Sequence, residues 1–70
     1  MTYLVSTKDR EGTKRARTFQ GISDAVEFAS AFPGLVRIQD LTSRENWIFL
    51  NGSELRGEPG ATALREFENR

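Results

Sequence analysis

The chain contains no cysteine and no histidine in 70 residues. Without cysteine there is no disulfide and no thiolate nucleophile, and without either residue the usual ligands of a structural zinc are missing. Lack of histidine also removes the side chain most used to move protons near neutral pH. Long apolar runs are lacking too. The longest, Trp47-Ile48-Phe49-Leu50, is four residues, against the roughly 20 that a membrane-crossing helix needs. The opening residues, Met1-Thr2-Tyr3-Leu4-Val5, do not read as a basic leader followed by a hydrophobic block. The expectation is a cytoplasmic protein with no metal, no cofactor and no membrane contact.

What is present fits one small domain spanning residues 1–70, near the lower size limit for folding without a disulfide or metal. Stability then rests on a single core, and a homodimer interface is its natural extension. Phe19, Phe28, Phe32, Trp47, Phe49 and Phe67 are the large core candidates, each able to bury about 150–250 Å². A mean hydropathy of −0.52 with 29% charged residues suits a soluble folded domain here, because the apolar residues are clustered and periodic.

Thr2 to Lys8 alternates as a strand, Asp9-Arg10-Glu11-Gly12 is a polar turn, and Thr13 to Phe19 returns as a second strand. From Ile22 the period changes. Ile22, Ala25, Val26, Ala29 and Phe32 fall on one helical stripe, with Phe28 on its shoulder. Ser23 or Asp24 is the expected cap, and Pro33-Gly34 ends the helix. Leu35 to Leu41 is a third strand and Asn46 to Leu50 a fourth, central because both its faces are apolar. Asn51-Gly52 is a two-residue hairpin signal that predicts a short fifth strand at Ser53 to Arg56. Gly57-Glu58-Pro59-Gly60 reads as a breaker, followed by a short helix carrying Ala61, Leu64 and Phe67. The predicted fold is α+β: an antiparallel sheet of four or five strands, one main helix on one face, order β-β-α-β-β(-β), and a C-terminal helix. Val26, Phe32 and Trp47 are expected in the core, with Leu64 and Phe67 docking on its edge or on a partner subunit.

The zero net charge conceals an asymmetry. Residues 1–20 carry Lys8, Arg10, Lys14, Arg15 and Arg17 against Asp9 and Glu11, a local +3. Residues 21–60 carry three arginines against Asp24, Glu27, Asp40, Glu45, Glu54 and Glu58, a local −3. The five basic residues of the hairpin are the first binding candidate, for an acidic protein surface or for phosphates, since a β-ribbon can enter a DNA groove. The bland alternative is a solvated face whose cations pair with nearby carboxylates. Asp40, Glu45, Glu54 and Glu58 form an alternative acidic face, suited to a basic groove. Trp47 reads as core in so apolar a strand, with a stacking platform as its functional alternative.

Catalysis finds no support. Asp24 and Glu27 share a helix face and Glu54 and Glu58 flank a turn, but no nucleophile or histidine accompanies either pair. Asp24 and Glu27 are explained by the positive end of the helix dipole. The Gly57–Gly60 stretch lacks the spacing and the Lys-Ser/Thr of a phosphate loop.

Two resemblances follow from these residues. A basic strand, then Thr18-Phe19, then a helix with Ala25 and Phe28 resembles the arm-type DNA-binding domains of phage integrases over about residues 3–32. Those domains use three strands before the helix and precede a catalytic domain, and neither feature is expected of this chain. The layout Tyr3-Leu4-Val5, Glu11-Gly12-Thr13, a return strand, Ile22-Ser23-Asp24-Ala25 and a hairpin at 35–50 resembles small phage anti-CRISPR proteins. That resemblance implies a stand-alone inhibitor that acts in the host cytoplasm on a CRISPR-associated complex. It transfers no residue roles, and residues 57–70 take no part in it. The sequence thus points to a non-catalytic protein that binds another protein. A small DNA- or RNA-binding module using Lys14, Arg15 and Arg17 is the rival, and zero net charge counts against it.

Overall fold

The computed structural model describes residues 2–68, with the side chains of residues 2–63 and of Arg65. Five strands and two helices follow in the order β1 (Tyr3–Asp9), β2 (Lys14–Phe19), α1 (Ile22–Ala31), β3 (Gly34–Asp40), β4 (Asn46–Leu50), β5 (Ser53–Leu55) and α2 (Glu58–Glu68). The strands form one antiparallel sheet ordered β2-β1-β3-β4-β5. The fold is the α+β arrangement expected, with all five strands formed.

Alternation and register together build the core. Val5 lies opposite Ile38, Thr7 opposite Val36, and these in turn face Trp47 and Phe49. Directly opposed residues share a sheet face, so this register gathers Tyr3, Val5, Val36, Ile38 and Phe49 on one side. There α1 covers them with Ala25 and Ala29. Val5, Val36, Ile38 and both alanines are fully buried.

The helix stripe predicted from the sequence forms, but Val26 and Phe32, expected in the core, are only partly buried. Ala25 and Ala29 sit at the contact, while Val26, Phe28, Phe32 and Ile22 are half-buried at its flanks. The reason is steric: two small side chains let the helix backbone approach the sheet, and larger ones splay to either side. Trp47 is likewise half-buried against this core.

The caps differ from expectation as well. Gly21, in extended conformation, is the N-cap of α1, and no side chain caps it. Asp24 lies in the first turn, where its charge suits the helix dipole. At the other end Phe32 is extended, as the residue before a proline prefers.

The opposite sheet face carries Ile48 and Leu55, which α2 approaches. Ile48 and Ala63 are buried there. The stretch read as a breaker is instead largely the first turn of α2. Pro59 is tolerated because the first helical amides need no intrahelical acceptor. Gly60 is buried, and a Cβ built on it would lie 2.8 Å from the Leu55 carbonyl oxygen. The glycine is there for close approach of helix to strand, and only Gly57, with φ +67°, acts as the turn. The expected docking of Leu64 and Phe67 concerns side chains outside the described residues. Strand β4, expected at the centre, pairs on both sides and buries Ile48 and Phe49 on opposite faces, but Leu50 is exposed and β3 occupies the middle of the sheet.

Candidate partner-binding surfaces

The basic hairpin is held at its tip by Asp9. Its Oδ1 accepts hydrogen bonds from the amides of Glu11 and Thr13, both at 2.9 Å. The Gly12 amide reaches the Asp9 carbonyl at 3.0 Å, with Gly12 at φ +89°. A short polar side chain bonding its own downstream backbone is what forms such a turn.

From this tip β2 runs along the edge of the sheet. Its first five residues are exposed and only Phe19 is half-buried. The structure divides the predicted basic cluster. Arg15 and Arg17 oppose Thr7 and Val5 and so lie on the α1 face, while Lys14 opposes Lys8 on the other face. Arg10 sits in the turn.

Arg17 has a defined position. Its guanidinium lies 5.0 Å from the Phe19 ring centroid and 5.1 Å from that of Phe28. The two rings are themselves 5.5 Å apart. Strand and helix thus present two aromatic faces to one cation, an attraction of about 0.5–1 kcal/mol per ring at an exposed site.

The acidic candidates are more dispersed. Asp40 is buried, and its Oδ1 accepts from the amides of Thr42 at 2.8 Å and Ser43 at 3.3 Å. The Thr42 amide is the main cause that holds its carboxyl below the ordinary value of 3.8; burial opposes this, and Ser43 reinforces it. Asp40 therefore organises the β3–β4 loop, in which Arg44 adopts φ +67°. Glu45 is exposed and close to the Ser43 hydroxyl at 3.3 Å. Glu54 bonds Arg56 through Nε and a terminal nitrogen, each at 3.3 Å. Glu58 lies in the first turn of α2, where negative charge is favoured. Of this set Glu45, Glu54 and Glu58 remain at the surface.

A cleft of about 430 Å³ runs between β4, β5 and the start of α2, with Asn46, Trp47, Glu54, Leu55 and Arg56 along it. Trp47 therefore contributes to the core and to a surface groove at once. Another cleft, of about 260 Å³, lies beside the hairpin and is lined by Lys8, Asp9, Arg10, Leu35 and Leu50. Among the described residues no group of three or more Asp or Glu side chains is placed to hold a metal ion, and no helix is long and apolar enough to cross a membrane.

Sequence reasoning missed the turn role of Asp40, which the Asp40-Leu41-Thr42-Ser43 spacing encodes as a carboxylate two and three residues before its donors. It also missed that Arg37 takes a half-buried place in the middle strand. No protein-family model matches the chain, and neither a curated protein nor a solved structure is significantly similar to it.

Proposed function

We propose that this is a non-catalytic interaction protein that binds an acidic surface of a partner protein through its basic hairpin. The observation that supports this reading is strand β2. It is exposed over Lys14–Thr18 and carries three cations and no carboxylate, in a chain whose overall charge is zero. A local field of one sign steers an oppositely charged partner, while overall neutrality gives little general attraction to polyanions. The layout resemblance suggests the form this activity takes, a small inhibitor that occupies a surface needed by a nucleic-acid-processing complex of a phage host.

The test is a double charge reversal, Arg15→Glu with Arg17→Glu, after circular dichroism has shown the variant to be folded. Purified CRISPR-associated effector complexes are assayed for DNA cleavage with and without the protein. The expected result is inhibition by the natural chain, loss of inhibition in the double variant, and no binding of duplex or single-stranded DNA by the free protein at low salt. Salt-sensitive DNA binding that the double reversal abolishes would make the hairpin a nucleic-acid module instead.

A further inference from the structure

We infer that β2 is a docking edge for an extended acidic segment of a partner protein, which joins the sheet as a sixth strand. The inference rests on the reading of the hairpin as the binding surface, and it specifies the mode of binding and the chemistry of the partner.

The backbone supports this first. The Asp9 amide bonds the Thr13 carbonyl at 3.0 Å, and the Thr7 hydroxyl reaches the Arg15 carbonyl at 3.4 Å. In an antiparallel pair the hydrogen-bonding residues alternate. Thr13, Arg15, Arg17 and Phe19 therefore turn their peptide groups toward β1. Lys14, Ala16 and Thr18 turn theirs outward, to the side where no strand pairs among the described residues. The bond from the Leu41 amide to the Thr2 carbonyl, at 3.3 Å, fits the same alternation on the far side of β1. At Ala16 and Thr18 the outer edge thus offers an amide and a carbonyl each, two residues or about 6.5–7 Å apart. A row of phosphates can accept from the amides but cannot donate to the carbonyls. A peptide strand does both, which is the basis of recognition by strand addition.

The side chains then choose among strands. Arg15 and Arg17 stand on one face at alternate positions, Arg17 steadied by Phe19 and Phe28. An added strand places its own residues about 4.5–5.5 Å from them. Acidic residues at every second position fit that face. Lys14, Ala16 and Thr18, on the other face, accept β-branched or small polar neighbours. A second copy of β2 is disfavoured because it brings cations against cations, a destabilising arrangement. Edge charges of this kind commonly prevent indiscriminate pairing. Here they also define which strand is admitted.

The experiment uses the isotope-labelled full chain and a capped peptide of about seven residues, a usual strand length, with Glu alternating with Val or Thr. Amide spectra and hydrogen exchange are recorded during titration. The expected result is a shift confined to β2 and its neighbours, with exchange of the Ala16 and Thr18 amides slowed about tenfold or more at saturation. The Ala16→Pro variant removes an outward amide without touching the β1 ladder, and edge strands tolerate proline there. It should abolish binding while the spectrum of β1 and β3 stays in place. The same peptide carrying N-methyl groups at its pairing amides should also fail, which makes the test independent of the variant's folding. The Arg15→Glu, Arg17→Glu variant should lose about tenfold or more in affinity.

If charge reversal destroys binding while Ala16→Pro and the methylated peptide bind normally, strand addition is wrong and the basic hairpin reading stands. If the peptide leaves β2 unshifted, strand addition is overturned, and the cleavage assay above decides the reading it rests on. Protection of Ala16 that rises with protein concentration and no peptide would make the occupant a second copy. Equal shifts from a single-stranded oligonucleotide would overturn the choice of a peptide strand.

Discussion

Replacing Ala29 by leucine should destabilise the domain although the two residues form helix almost equally well. Ala29 has no exposed surface and lies between α1 and the sheet, where Val5, Val36 and Ile38 are also fully buried. Leucine adds three heavy atoms at a fully buried contact, and overpacking of that kind costs about 1–3 kcal/mol. A domain of 70 residues is stable by about 4–10 kcal/mol at usual values per residue, so the loss is large but survivable. At about 4–8 °C per kcal/mol, Tm should fall by about 4–24 °C. Ala31→Leu is the internal control. Ala31 is in the same helix and exposed, so it should shift stability by no more than about 0.5 kcal/mol. Thermal scans followed by far-ultraviolet circular dichroism and by Trp47 fluorescence measure both. If Ala29→Leu melts with Ala31→Leu, α1 does not approach the sheet through its alanines and the packing described above is wrong.

Gly60→Ala should also destabilise, reversing the usual helix preference of about 1 kcal/mol for alanine, because the new Cβ falls 2.8 Å from the Leu55 carbonyl oxygen. Urea unfolding checks it, and a gain in stability would refute the close approach of α2 to β5. Asp40→Asn keeps an acceptor for the Thr42 and Ser43 amides but removes the charge they favour. Because the folded carboxyl titrates below 3.8, its stabilising contribution is complete above that value and disappears as pH falls through the folded pKa. The variant should therefore be less stable than the natural chain at pH 7, with the gap closing below about pH 3.8; a gap independent of pH would show the charge to be irrelevant.

Periodicity made most of this fold legible. The alternation of Thr2–Lys8 and Thr13–Phe19, the 3.6-residue stripe from Ile22 and the Asn51-Gly52 turn each report a local backbone state. That state was recovered, with Asn51 and Gly52 both at positive φ. What stayed illegible depends on neighbours distant in sequence. Nothing local says that Ala25 and Ala29, not Val26, mark the centre of the helix contact, since all three lie on one stripe and only the sheet decides which touches it. Gly60 was misread for the same reason. A glycine beside a proline signals a break locally, whereas its reason here is the Leu55 carbonyl from another element.

The candidate surface follows the same division. The alternation of Thr13–Phe19 is enough to set Arg15 and Arg17 on the face opposite Lys14, but the order of strands, which leaves β2 at the edge, is a tertiary outcome. The division between faces also weakens the nucleic-acid reading in numbers. A phosphate track laid on one sheet face can meet Arg15 and Arg17, while Lys14 points to the other face. Two contacts give a salt slope of about −1.8 in log K, so affinity falls only about tenfold between 50 and 200 mM salt, against the 10³–10⁵ loss of proteins that make six to ten contacts. Two phosphates supply little affinity by themselves. An acidic strand would add backbone hydrogen bonds to the same two arginines, because the peptide groups of Ala16 and Thr18 turn away from β1.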